Sequence, residues 1–185
     1  SKNVFFEGPI IFHPNIFEDS RGYFLETWNQ NTYEKHLGSN FKFVQDNQSL
    51  SKKGVLRGMH YQLPNMEQGK LVRCTSGSIY DVIIDLRKDS KNFAIWGGIN
   101  LNSIICNQLW IPPGFAHGFL VLSENATIEY KVTNYWSKKH ERSILWCDEQ
   151  INIRWPLPNN EIKLSKKDSL ANNFKEIKFK NDIFI

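Results

Sequence analysis

An antiparallel β-sandwich or barrel with a few short helices is the fold class this sequence predicts, and three observations carry it. Short segments of alternating polarity recur along the chain, turn residues separate them, and stretches with helical periodicity are scarce. A length of 185 residues with 41% hydrophobic content supports one sizeable core, so residues 1–185 are read as a single domain.

Taken in order, GYFLETW from Gly22 and FKFVQDNQS from Phe41 read as strands, with a short helix between them near NTYEKHLG that Gly38 closes. VLRGMHYQL follows from Val55. The run KLVRCTSGSIYDVIIDL from Lys70 contains two strands about the SGS of residues 76–78, where a glycine can take the positive φ of a hairpin turn. AIWGGINL, NQLWIPPG, HGFLVLS and ATIEYKVTNYW complete the set. A second helix is expected near LSKKDSLANNF, where Ser165 and Asp168 fit an S-x-x-D start. Lys163, Lys166, Lys167, Lys175, Lys178 and Lys180 in the same region read as a solvated face. Neither a repeat nor an internal linker is evident.

Composition excludes several classes of function. Lys plus Arg is 23 and Asp plus Glu is 19, so no dense basic stripe suits a nucleic-acid partner, whereas a single anionic ligand fits the balance. Cys74, Cys106 and Cys147 are far apart and form no C-x-x-C pair, which argues against a disulfide framework and a structural zinc site. No run approaches the roughly eighteen apolar residues of a membrane span, and the start SKNVFFEGPIIFHP has no signal-like apolar stretch. A cytoplasmic location without membrane association is expected.

The informative residues are polar ones on apolar faces. Read at period two, Val55, Arg57, Met59 and Tyr61 share one face, and Leu56, Gly58, His60 and Gln62 the other. From this stretch alone, a core histidine with a satisfied hydrogen bond is the simpler account of His60. In IYDVIIDL, Tyr80, Val82, Ile84 and Leu86 form an apolar face with Asp81 and Asp85 opposite. In ATIEYKVTNYW, Ile128, Tyr130, Val132 and Trp136 share a face, so Tyr130 is expected to point inward. Lys70 shares a face with Val72 and Cys74, where desolvation makes an unpaired ammonium costly and an anionic ligand would relieve it. Glu26 lies beside Phe24 and Trp28, and Gln45 and Asn47 lie on the face of Phe43. Together these side chains fit a barrel that holds a ligand better than one filled by its own core.

PPGFAH at 112–117 matches the P-x-G-x-x-H shape of the second motif of cupin barrels, whose metal-binding members also need an H-x-H pair and a glutamate. Here the first motif reads MHYQ, with Gln62 where the second histidine would stand. No three- or four-ligand site can be assembled from these motifs, so a metal-free barrel is expected.

The ordered motifs FEDSRGYFLE, FVQDNQS, GVLRGMHYQ, QGKLVRC, LWIPPGFAHGFLVLS, EYKVTNYW, ERSILW and LSKKD, from Phe17 to Asp168, closely resemble the dTDP-4-dehydrorhamnose 3,5-epimerase family. The resemblance implies a homodimeric cupin jelly roll of dTDP-rhamnose biosynthesis. Such a protein would epimerise C3 and C5 of a nucleoside-diphosphate 4-keto-6-deoxy sugar without a cofactor. By resemblance His60 is the base, Tyr130 the acid, Lys70 the cation at the enolate oxygen, and Asp168 the partner of His60. The resemblance further implies substrate contacts from Arg21, Phe24, Glu26, Gln45, Asp46, Asn47, Arg57, His117, Glu141 and Lys166. Trp136 stands where the family usually stacks a tyrosine on thymine, and Gln48 replaces a usual histidine; the first departure leaves the nucleobase open. The competing readings are an epimerase acting at C3 or C5 alone, one acting on another nucleotide sugar such as a GDP-heptose, a metal-dependent cupin enzyme, and a non-catalytic binding module.

Overall fold

The structure, a computed structural model, describes residues 2–3, 7–38 and 41–184. Its strands are β1 (Lys2–Asn3), β2 (Ile10–Phe12), β3 (Ile16–Asp19), β4 (Gly22–Leu25), β5 (Gln45–Lys52), β6 (Leu56–Gln62) and β7 (Lys70–Ser76). They continue as β8 (Ser78–Asp85), β9 (Trp96–Asn102), β10 (Gln108–Ile111), β11 (Phe115–Val121), β12 (Asn125–Val132) and β13 (Glu141–Ser143). The helices are α1 (Gln30–Leu37), α2 (Lys166–Ser169) and α3 (Phe174–Phe179). Two antiparallel sheets result, in the orders β1-β2-β10-β7-β12-β5 and β13-β6-β11-β8-β9, with β3 and β4 forming a separate hairpin. The mainly β jelly roll expected from the sequence is therefore the fold.

Between the sheets lies one core, in which Val72, Cys74 and Ile128 from the first sheet meet Ile79, Ile83, Phe119 and Val121 from the second. A second core covers the outer face of the second sheet, where Met59, Tyr61, Val82, Ile84 and Leu86 pack under Ile151, Phe174, Ile177 and Phe184 of the C-terminal segment.

Three local expectations are corrected by this arrangement. The SGS of 76–78 is not a hairpin, because β7 and β8 belong to different sheets. Gly77 instead turns the corner between them at φ 78°, with Ser123 Oγ accepting from Ser78 N at 2.9 Å. A Cβ at Gly77 would also strike Asn125 O and Ser123 Oγ, so glycine is required twice over. The single helix expected near 164–174 is two. Ser165 caps α2, while Asn173 and Glu176 form a capping box on α3, and a bridge between Ile144 and Asn172 ties down the chain between them.

The third correction concerns parity. Strict alternation put Arg57 opposite His60, but β6 carries an irregularity: His117 pairs with His60, then Phe119 with Arg57, leaving an extra residue on β6. Gly58, at φ 147°, takes up the extra residue, and a Cβ there would lie 2.5 Å from Gly118 Cα. Leu56, Met59 and Tyr61 consequently pack in the outer clusters, and Arg57 joins His60 on the inner side. On β8 the alternation holds, yet the apolar Val82 and Ile84 face the C-terminal cover, and the face bearing Asp81 looks into the barrel. The helix closed by Gly38 is present as expected, with Asn29 as its N-cap.

Candidate active site

The two sheets deliver different chemistry to one interior cavity. His60 and Arg57 come from β6 and His117 from β11 in the second sheet; Lys70 comes from β7 and Tyr130 from β12 in the first. With Asp168 of α2 at its edge, this cavity encloses about 500 Å³. An adjoining lobe of about 300 Å³ shares His60, Lys70 and Tyr130 and extends past Gln45 and Asn47 to Trp136 and Glu141. The inward reading of Lys70 and Tyr130 thus agrees with the structure.

His60 Nε2 lies 2.6 Å from Asp168 Oδ1. Asp168 also occupies the helix-start position, and both roles coexist because different atoms serve them. Its backbone N donates to Ser165 Oγ at 3.1 Å, and its carboxylate remains free for His60. Burial pushes the Asp168 carboxyl upward, but the His60 hydrogen bond and charge, with Ser165 and Lys167, hold it below the usual carboxylate range. The carboxylate is therefore ionised and fixes the imidazole ring.

Lys70 is buried, and its Nζ contacts the His60 carbonyl at 3.4 Å. Desolvation lowers its pKa to about 8, against the opposing charges of Asp81 and Glu141. Desolvation likewise raises the Tyr130 phenol above its usual range, a shift that Arg57 opposes and Glu141 reinforces. Tyr130 is accordingly a neutral proton donor at neutral pH. His117 is held as the neutral ring by burial, although Asp81 Oδ2 stands 2.9 Å from its Nε2.

At the rim, Lys167 Nζ meets Glu141 Oε2 at 2.6 Å. Burial raises the Glu141 carboxyl, and Lys167 with Trp136 more than offsets this, leaving it below the ordinary range. Trp136 is half exposed, and its backbone N donates to Gln45 Oε1 at 3.3 Å, so its ring stands at the mouth of the lobe.

Several residues marked by the sequence are not brought to the cavity of this chain. Asp46 alternates with Gln45 and Asn47 and so points from the outer face of the first sheet, where Lys131 Nζ pairs with it at 2.9 Å. Arg21 is exposed on the β3–β4 turn and paired with Asp19 at 2.6 Å. Phe24 is exposed on β4, and Glu26 accepts from Asn29 Nδ2 at 3.1 Å beside α1. Lys166 is exposed; the helical turn of α2 directs its neighbour Lys167 to the cavity instead. Lys167 and Asp81 are the residues that sequence reasoning missed. The available signals were the position of Lys167 beside Asp168 and the carboxylate of Asp81 in a largely apolar strand.

For metal binding, the donors are already committed. His60 Nε2 faces Asp168 and His117 Nε2 faces Asp81, while Gln62 donates to Met66 O and Tyr135 O. Among the described residues no group of three His, Cys, Asp or Glu side chains is placed to hold an ion.

The family model described as dTDP-4-dehydrorhamnose 3,5-epimerase matches residues 4–176. The chain belongs to that family. A relative from Shigella flexneri, named dTDP-4-dehydrorhamnose 3,5-epimerase, is 52% identical over 165 residues, covering 89% of this chain and 90% of its own. The crystal structure of the Legionella pneumophila dTDP-6-deoxy-D-glucose-3,5-epimerase in complex with dTDP-4-keto-L-rhamnose superposes with a TM-score of 0.93 at 42% identity, over 98% of this chain and 95% of that one. The Mycobacterium tuberculosis epimerase gives a TM-score of 0.95 at 30% identity, over 99% and 92% of the two chains. Membership in this family of 3,5-epimerases accounts for a barrel interior that holds polar side chains where a structural barrel would hold aliphatic ones. Among the described residues no helix is long and apolar enough to cross a membrane.

Proposed function

We propose that this epimerase inverts C3 and C5 of dTDP-4-dehydro-6-deoxy-D-glucose to give dTDP-4-dehydro-L-rhamnose, using His60 as base, Tyr130 as acid and Lys70 as the cation at O4. One observation carries the assignment of roles: the imidazole and the phenol enter the same cavity from opposite sheets, with the ammonium beside them. Inversion at a carbon next to a ketone needs that arrangement. The base takes the C–H proton from one face, the bonding pair moves into the enolate with charge on O4, and the acid delivers a proton to the other face. The ketone is restored, and exchange with solvent returns both groups to their starting forms.

Arg57 and Lys167 supply positive charge for the diphosphate, and Trp136 offers a face to the nucleobase. Incubation with dTDP-4-dehydro-6-deoxy-D-glucose in D₂O, followed by NMR, tests the proposal. Deuterium at both C3 and C5 is the expected result. Label at one carbon reduces the activity to a single epimerisation, and label at neither rules out this substrate.

The working form is a homodimer in the cytoplasm. Cys74, Cys106 and Cys147 are free thiols, which suits a reducing compartment. Phe17, Tyr23 and Phe24 are each at least 60% exposed on the β3–β4 hairpin. That hairpin lies against Arg73, Thr75 and Glu129, on the outer face of the first sheet and away from its own cavity. In a dimer it can carry Arg21, Phe24 and Glu26 toward the partner's site. Sedimentation equilibrium should give twice the 21.7 kDa chain mass, and a monomer that is fully active would remove this element of the reading.

A further inference from the structure

Asp81 is completely buried inside the barrel, in a position that the reaction as described leaves without a role. Its Oδ2 lies 2.9 Å from His117 Nε2, and its Oδ1 is sealed from solvent with no hydrogen-bond partner among the described residues. A carboxylate with a bare oxygen is costly to bury unless a cation stands near it. Lys70 lines the same cavity as His117, the hydrogen-bond partner of Asp81, and the Asp81 charge favours its ammonium form.

We propose that Asp81 is a positioning residue of the epimerase site, holding His117 with its proton on Nε2 and serving as the counter-charge of the Lys70 ammonium. The inference rests on the reading of Lys70 as the group that stabilises the enolate.

The surroundings of Lys70 leave this task to Asp81. The cavity and its adjoining lobe set Lys70 among Arg57 and His60 of β6, His117 of β11, Tyr130 of β12 and Glu141 of β13, with Asp81 of β8 acting on it by charge. Cys74 follows on its own strand, and α2 adds Lys167 and Asp168. Glu141 is neutralised by Lys167 at 2.6 Å, and Asp168 is engaged by His60 at 2.6 Å. Asp81 is the anion that remains. Its hydrogen bond with His117 has a second effect: with the proton on Nε2, Nδ1 keeps its lone pair and can accept a hydrogen bond. A neutral His117 also adds no positive charge beside Lys70 to favour its deprotonation.

Asp81→Asn keeps the size of the side chain and an acceptor for His117 Nε2 but removes the charge. The expected result is a lower kcat with KM little changed, and an alkaline limb of kcat/KM that moves down by about half a pH unit or more, because Lys70 then loses its proton sooner. A fall in kcat with an unmoved alkaline limb would mean that Asp81 only supports the fold, and would overturn the proposal. If the variant does not fold, the ring nitrogens of His117 in the unaltered protein decide by long-range proton–nitrogen NMR. A proton on Nε2 supports the role, and a proton on Nδ1 overturns it. Deuterium exchange by the unaltered protein keeps the two readings apart. Its absence sinks the enolate chemistry, whereas exchange combined with an unmoved limb in Asp81→Asn sinks the role of Asp81 alone.

Discussion

Substituting His60 by asparagine is expected to suppress deuterium uptake at both C3 and C5, with turnover falling on the order of 10²- to 10⁴-fold. That range corresponds to about 3–5 kcal/mol of transition-state stabilisation. Asparagine retains a polar contact for Asp168 and adds no volume, so the packing between β6 and α2 should survive. The loss should extend to both carbons, because the other imidazole of the cavity, that of His117, is buried and already engaged by Asp81 at 2.9 Å. KM should change little, since the imidazole acts on a proton and contributes little to holding the nucleotide. Uptake at either carbon that stays within about threefold of the unaltered protein, on the 10²-fold scale set for a positioned base, would remove His60 from that role.

What could be read from the sequence follows from how locally each feature is determined. Lys70, Val72 and Cys74, and likewise Ile128, Tyr130 and Val132, lie on regular stretches of β7 and β12, where period two alone decides which face a side chain takes. The bulge at Gly58 breaks that rule, and its signal, a glycine within a strand, is ambiguous without the partner strand that approaches it. The inward position of Asp81 escapes period-two reading for a different reason. Its strand is apolar on one face, and alternation cannot say whether that face meets the opposite sheet or the C-terminal cover assembled from residues about 60 to 100 positions later. The hairpin expected at Gly77 fails because turn chemistry does not reveal whether the next strand stays in the same sheet. Arg21 and Phe24 are legible only through the family resemblance, Glu26 also by alternation beside Phe24 and Trp28, and one chain alone does not bring any of them to its cavity.

Lys70→Met is expected to lower kcat by roughly 10²- to 10³-fold or more, the effect of removing a preorganised group from a developing oxyanion. Methionine matches the length of the lysine stem and fits beside Val72 and Cys74, so the variant should fold. Thermal stability should fall, because the fully buried Asp81 carboxylate loses the charge that offsets it, which outweighs the better fit of an apolar side chain at a position only 8% exposed. A variant that is folded by circular dichroism at the assay temperature and still lacks the rate separates loss of the ammonium from damage to the barrel. The pH profile supplies the sign independently. Only the ammonium form steadies a negative O4, and burial places the Lys70 pKa at about 8, so kcat/KM of the unaltered enzyme should fall as pH rises past that point. Loss of the Tyr130 proton comes later, because the same desolvation moves the phenol upward from its ordinary value. A Lys70→Met protein that kept its rate, or an unaltered enzyme whose activity held level as pH rose through and well past 8, would show that the enolate draws its stabilisation from another group.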